Sequence, residues 1–450
     1  MTFYFGNSVS SMQTEGGWNE DGKSLSIYDI KPATNSTSDW HVANDNYHHY
    51  EEDFTWMQEL GLNMYRFQTS WSRVIKEDGS LNEAGLAYYD RFIEALLARE
   101  IEPMVCLYHF DMPLRHAKRG GFANKEVVQD FITYGETVMD HFAGKVKYWL
   151  TFNEQNIFHN HGSFEIAGAK DGPQTYQQLT QIAQNVMVAH ARLTEYLQLN
   201  YGRKMGGMIA FNQVYPATPS PEDNQTKRLW DEFTHYCLLD CFSGRSYSQE
   251  VVAYIQQLDL TLDVTEEELS AIAACENDFI AFSYYASTTV DAQLIPEGTP
   301  PNLYLQFGQK ANPYLEATEW GWQIDPLGFY EAMQTMYQRY HLPLFPIENG
   351  IGARETWNGV DPIEDDYRIE YHERHLVMLQ KARQRGVPIL GYLGWGWIDI
   401  LSSQGDMEKR YGLIYVNRDN HDLKDMRRVP KKSFYWLQSW LKDFREDENQ

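Results

Sequence analysis

A chain of 450 residues, 43% hydrophobic and 14% aromatic, can bury a large core; α/β barrels with long loops run past about 400 residues as one domain, so residues 1–450 are expected to form a single domain. The net charge of −25 produces a field that attracts neither nucleic acid nor an anionic membrane, and no run approaches the ~20 apolar residues of a membrane span. An anionic small-molecule substrate would therefore need a local cationic pocket.

Residues 1–10 carry no basic leader and read directly into a strand, so no signal peptide is expected. Short apolar runs then alternate with longer amphipathic stretches, which points to βα units and a parallel sheet. Strands are expected at 3–8, 63–68, 103–109, 148–153, 208–211, 278–283, 344–347 and 389–395. Helices follow them at about 50–60, 82–99, 125–142, 175–199, 226–241, 327–340, 367–385 and 432–444. In 82–99, Leu86, Tyr89, Phe92, Ile93, Leu96 and Leu97 recur at intervals of three and four and make one apolar face. The stretch 212–277 is too long for one strand and one helix, so it should hold extra helices or loops. Rich in Pro, Gly and Asn, 286–322 reads as a long loop. Cys106, Cys237, Cys241 and Cys275 have neither zinc-site nor disulfide-framework spacing, and free thiols suit a reducing compartment. Eight βα units give the fold class: α/β, a closed (β/α)8 TIM barrel with long βα loops.

In such a barrel the chemistry sits at the carboxyl ends of the strands. The fourth strand runs into Thr151-Phe152-Asn153-Glu154 and the seventh into Ile347-Glu348-Asn349-Gly350. Two carboxylates at one barrel mouth fit glycoside hydrolysis, which needs a proton donor and a nucleophile on either side of the scissile bond. On these residues alone, other barrel hydrolases and isomerases stay open.

Longer motifs narrow the field. The run from Phe5-Gly6-Asn7 to Gln13-Thr14-Glu15-Gly16-Gly17 resembles the opening signature of glycoside hydrolase family 1. So do Tyr65-Arg66-Phe67 with Ser70-Trp71-Ser72-Arg73, Tyr108-His109-Phe110-Asp111-Met112-Pro113, Asn153-Glu154 and Glu348-Asn349-Gly350. The resemblance covers nearly the whole chain. It implies Glu154 as general acid/base and Glu348 as nucleophile, with Arg66 and Tyr285 beside Glu348. It further implies that Gln13, His109, Asn153 and Trp395 hold the sugar at the −1 subsite. Glu348 must be ionised, which Arg66 and the Tyr285 hydroxyl favour, whereas Glu154 must start protonated, which burial and the charge of Glu348 favour.

Departures from the family pattern indicate a branch. After the eighth strand the family's β-glucosidases read Trp-Ser-Leu-Leu-Asp-Asn-Phe-Glu-Trp, and the Glu binds the 4- and 6-hydroxyls of the sugar. Here the frame is Trp395-Gly396-Trp397-Ile398-Asp399-Ile400-Leu401-Ser402-Ser403. A carboxylate would repel a 6-phosphate, while the hydroxyl of Ser402 can donate to one. Ser402 with Lys409 and Tyr411 resembles the phosphate-binding set of the 6-phospho-β-glycosidases, and Ser283-Tyr284-Tyr285 also looks like that branch. Ser403, where the phosphogalactosidases carry Trp, favours gluco over galacto. The resemblance thus implies a retaining 6-phospho-β-glucosidase acting in the cytoplasm on phosphorylated cellobiose-type disaccharides and aryl glucosides. The rivals are a 6-phospho-β-galactosidase, a non-phospho β-glucosidase, and an inactive carbohydrate-binding protein on the same fold. There is no Gly-rich phosphate loop or nucleotide fingerprint, so no cofactor is expected. No metal is expected either: His372 and His375 lack a matching carboxylate set and are assigned to a helix surface, as are His159 and His161.

Overall fold

Apolar runs that are buried on both faces favour parallel strands covered by helices, and such runs build the centre of this molecule. The computed structural model describes residues 2–160 and 162–448; His161 and the chain ends lie outside them. Eight strands form one parallel sheet: β1 (Tyr4–Ser8), β2 (Met64–Gln68), β3 (Glu102–Tyr108), β4 (Tyr148–Phe152), β5 (Lys204–Ala210), β6 (Phe279–Ser283), β7 (Leu344–Glu348) and β8 (Gly391–Trp395). Each pairs with its neighbour in the chain, and β8 pairs with β1 from Tyr4↔Gly391 to Ser8↔Trp395. The ring closes between β7 and β8: Leu344 N donates to Pro388 O, Leu390 N to Leu344 O and Trp395 N to Asn349 O, each at 2.9 Å. Met64, Met104, Leu150, Met208, Phe345 and Leu393 pack the interior of the barrel, so this is a filled core with one functional mouth.

The helices cover the outside. In the helix Glu83–Leu97 the expected stripe faces inward, apart from Leu97, which is 39% exposed at the last turn. The strand expected at 208–211 begins earlier, at Lys204. Gly206 and Gly207 conceal it in the sequence, and both are needed: an added Cβ would lie 2.3 Å from the ring of Phe279 at the first and of Phe242 at the second. The helix expected at 226–241 starts at Pro221, because the Ser220 hydroxyl caps it by accepting from Asp223 N at 3.0 Å. It then widens at Glu232–Tyr236 before Cys237–Phe242. The stretch 212–277 does hold added helices, Gln249–Gln257 and Glu266–Ala273.

Two expectations are corrected. The segment 286–322 is more than a loop: Ser287–Val290 pairs with Gln213–Pro216 and with Gln309–Lys310 in a small sheet, and Tyr304–Gly308 is helical. A four-residue strand is too short for alternation to show among its Ser and Thr residues. His372 and His375 are buried on the inner side of the helix Asp366–Gln384 and do not line its surface. All four cysteines are buried and free. Among the described residues no helix is long and apolar enough to cross a membrane.

Candidate active site

Arg66, the central residue of β2, points into the barrel mouth and is fully buried. Its guanidinium donates to Glu348 Oε1 at 2.7 Å, to Asn153 Oδ1 at 2.7 Å and to Ser8 Oγ at 3.1 Å. One planar cation thus ties together the ends of β1, β2, β4 and β7, a task that suits its fork of donors. Tyr285, two residues beyond β6, donates its hydroxyl to Glu348 Oε2 at 2.9 Å. Both oxygens of Glu348 therefore accept a hydrogen bond. Burial pushes its carboxyl up; Arg66 opposes that shift and the charge of Glu154 adds to it.

Glu154 follows β4 in the left-handed region, at φ 39°, and leads into the turn Gln155–His159. Its Oε1 accepts a short hydrogen bond from the hydroxyl of Ser283, the last residue of β6. Burial raises its pKa against the pull of Ser283 and Arg66. The departure at Ser283 thus lies directly on one of the two carboxyls, a contact that sequence reasoning did not assign.

The other expected sugar ligands surround this pair. Asn153 keeps its Nδ2 buried without a protein partner, and so does His109 its Nδ1. Burial, helped by Arg66, holds the His109 imidazole well below its ordinary range, so it is neutral. The ring of Trp395 lies 5.5 Å from that of His109. Gln13 is buried at the mouth, but its amide already works within the protein: Nε2 donates to Leu401 O at 2.7 Å and Oε1 accepts from Ser10 Oγ at 2.7 Å. It thereby fastens the β8 loop one residue before Ser402.

Beyond Trp395 the expected anion-binding residues come into view. Tyr411 packs with Trp395 and Ile400, and Tyr285 and Trp322 lie against this cluster. Lys409 is only 8% exposed, yet its ammonium has no hydrogen bond or ion pair to a described residue. It lies over aromatic rings instead, 3.8 Å from the centroid of Trp322, 5.0 Å from Trp320 and 5.5 Å from Tyr411. Burial pushes Lys409 down to about 8, partly offset by Asp406 and Glu319. The Ser402 oxygen accepts from Asp406 N at 3.0 Å and Gln404 N at 3.3 Å, which leaves its hydroxyl proton free to donate outward.

Sequence reasoning missed the frame behind these loops. Arg368 donates to Ile351 O at 2.6 Å and to Tyr411 O at 2.8 Å, joining the loop after β7 to the loop after β8. It pairs with Asp365 at 2.9 Å and Glu355 at 2.8 Å, and Lys431 bridges Glu355 and Asp399. Against the upward push of burial, Lys431 and Arg368 hold Glu355 down to about 2. It also missed the role of His372, whose Nδ1 is 2.9 Å from the Tyr392 hydroxyl, which donates to Asn349 Oδ1 at 2.6 Å. This chain orients the residue next to Glu348. Among the described residues no group of His, Cys, Asp and Glu could hold a metal ion.

Comparison with known proteins agrees with this geometry. The family model described as glycosyl hydrolase family 1 matches residues 1–445. The chain is 37% identical to a 6-phospho-beta-glucosidase of Dickeya chrysanthemi, covering 97% of this chain and 96% of that one. It is 35% identical to the aryl-phospho-beta-D-glucosidase BglC of Bacillus subtilis (strain 168), covering 98% and 96%. Among solved structures, the GH1 beta-glucosidase from Exiguobacterium antarcticum B7 superposes with a TM-score of 0.88 at 26% identity, over 99% of this chain and 98% of that one.

Proposed function

Since the chain belongs to glycosyl hydrolase family 1, we propose that it hydrolyses 6-phospho-β-D-glucosides, with retention, to glucose 6-phosphate and the aglycone. The observation that carries the phosphate specificity is Lys409. A buried ammonium with no carboxylate beside it, next to Tyr411 and on the loop of Ser402, is the local cation that an acidic protein needs for an anionic sugar. Its two curated relatives described above, at 37% and 35% identity, both carry phospho-glucosidase names.

The proposed reaction is a double displacement. Glu348 attacks the anomeric carbon while Glu154 delivers its proton to the departing oxygen; Glu154 then takes a proton from the water that releases the sugar. One proton is shared by the two carboxyls. It sits on Glu154, because Glu348 already accepts from Arg66 and Tyr285 and would lose one of those bonds on protonation. The free Asn153 Nδ2 is suited to the sugar 2-hydroxyl, a contact that strengthens in the transition state. His109 and Gln13 face the remaining hydroxyls and Trp395 supplies the apolar platform. Ser402, Lys409 and Tyr411 take the 6-phosphate, and Ser403 leaves the site open to the gluco configuration. One catalytic domain, acting in the cytoplasm on sugars phosphorylated during import, fits this reading.

Turnover of nitrophenyl β-glucoside, its 6-phosphate and the galacto 6-phosphate tests the proposal directly. The gluco 6-phosphate should be the best of the three. Preference for the unphosphorylated compound would overturn the phosphate site and leave the glycosidase.

A further inference from the structure

Behind the turn that begins after Glu154 lies a cavity of 170 Å³ that none of the residues assigned above lines. Leu179 and Ala183 of the helix Tyr176–Tyr201 form one wall, and Val251 and Ile255 of the helix Gln249–Gln257 face them. Phe233 lies on a third side. The helix Gln249–Gln257 has no buried residue, so the cavity opens to solvent along that wall.

The cavity also has a polar side. Most polar groups near it are committed: Tyr176 donates to Asn302 at 2.9 Å, and Asn302 donates to the His159 carbonyl. Gln184, Tyr247 and His159 are not. The Gln184 amide nitrogen is buried without a partner on a residue that is 8% exposed. The Tyr247 hydroxyl and the His159 imidazole, whose shifts come from burial and distant charges, make no hydrogen bond to a described residue. Burial holds His159 down to about 4, so near neutral pH its ring offers one donor and one acceptor. A pure hydrocarbon would displace the water these groups can bond and leave them unpaired, and a sugar would bring far more polar groups than the walls can satisfy.

We propose that this cavity binds a monocyclic phenol, with the ring among Leu179, Phe233 and Ile255 and the hydroxyl toward His159 and Tyr247. His159 closes the turn Gln155–His159 that starts at Glu154, so an occupant bears on the segment holding that carboxyl without entering the barrel mouth. The proposal is independent of the phosphate reading, because no residue is shared.

Calorimetric titration of the intact protein with phenol and with toluene tests it. Phenol should bind more tightly than toluene, and Tyr247→Phe should reduce that preference by roughly 5-fold, the worth of one hydrogen bond. Ala183→Phe and Val252→Trp, which fill the space from opposite walls, should each abolish phenol binding. Both should keep the wild-type circular dichroism spectrum and a cooperative melt, which shows that they fold. In kinetics phenol should act non-competitively. Equal binding of phenol and toluene, undiminished binding in both filled variants, or strictly competitive inhibition would each overturn the proposal.

Discussion

Arg66 and Tyr285 leave neither oxygen of Glu348 without a donor, whereas Glu154 has only Ser283. That asymmetry supports the proposed roles, which can be checked. Glu348→Ala should be nearly inactive and regain turnover with azide, giving the α-glycosyl azide. Glu154→Ala should lose about 10²–10⁴-fold on poor leaving groups and much less on good ones, since the acid assists departure; swapped behaviour in the product analysis would reverse the assignment. Lys409→Ala should lower kcat/KM on the 6-phosphate about 10- to 100-fold and leave the plain glucoside nearly unchanged. Because burial pushes Lys409 down to about 8, the ratio of the two kcat/KM values should fall as pH rises through that value. Lys409→Arg, charged throughout, should remove the fall. At this scale the sequence is informative where motifs are contiguous, as at Asn153-Glu154 and Glu348-Asn349-Gly350. It is silent on the Ser283 contact, which depends on a left-handed backbone at Glu154 that no glycine announces.

Among the elements, the loops after β7 and β8 are held as a unit by Arg368, Glu355, Lys431 and Asp399. Their partners are distant in sequence: Lys431 and Glu355 are 76 residues apart, and charges at that separation show no pattern in the chain. Glu355→Gln would remove a carboxylate shared by two buried cations, Arg368 and Lys431, and should cost about 3–5 kcal/mol, read from denaturant midpoints. The folded pKa of Glu355 is depressed, so its contribution is complete above its unfolded value of about 4.3 and is lost as pH falls toward 2. The difference between wild type and variant should therefore narrow over that window. The strands themselves are legible because each is a compact apolar run, and β5 is misread at its start because its two glycines exist to admit the rings of Phe242 and Phe279.

For the whole molecule, the closed barrel sets the stereochemistry. Glu348 ends β7 and Glu154 follows β4 directly after Asn153, and Arg66 bonds both Asn153 and Glu348, which sets the two carboxyls at one mouth. Retaining glycosidases hold the two carboxyls about 5–5.5 Å apart, with no room for a water between nucleophile and sugar, and retention is the expected outcome here. An NMR time course should show the β-anomer as the first product; the α-anomer appearing first would contradict the double displacement. The eight-unit order is readable from alternation alone because each βα unit repeats the same pattern, while the small sheet around Ser287–Val290 interrupts that repeat and is not.

The solitary ammonium of Lys409 has a consequence for anyone handling this enzyme at the bench. A buried cation with no carboxylate in direct contact is open to any small tetrahedral oxyanion, so the choice of buffer becomes an experimental variable. Inorganic phosphate or sulfate should compete with the phosphorylated substrate and spare the plain glucoside. The same salts should raise the melting temperature in proportion to the logarithm of their concentration above Kd, as expected for a ligand that binds only the folded chain. Assays run in phosphate would then understate the activity of a protein that phosphate makes look more robust.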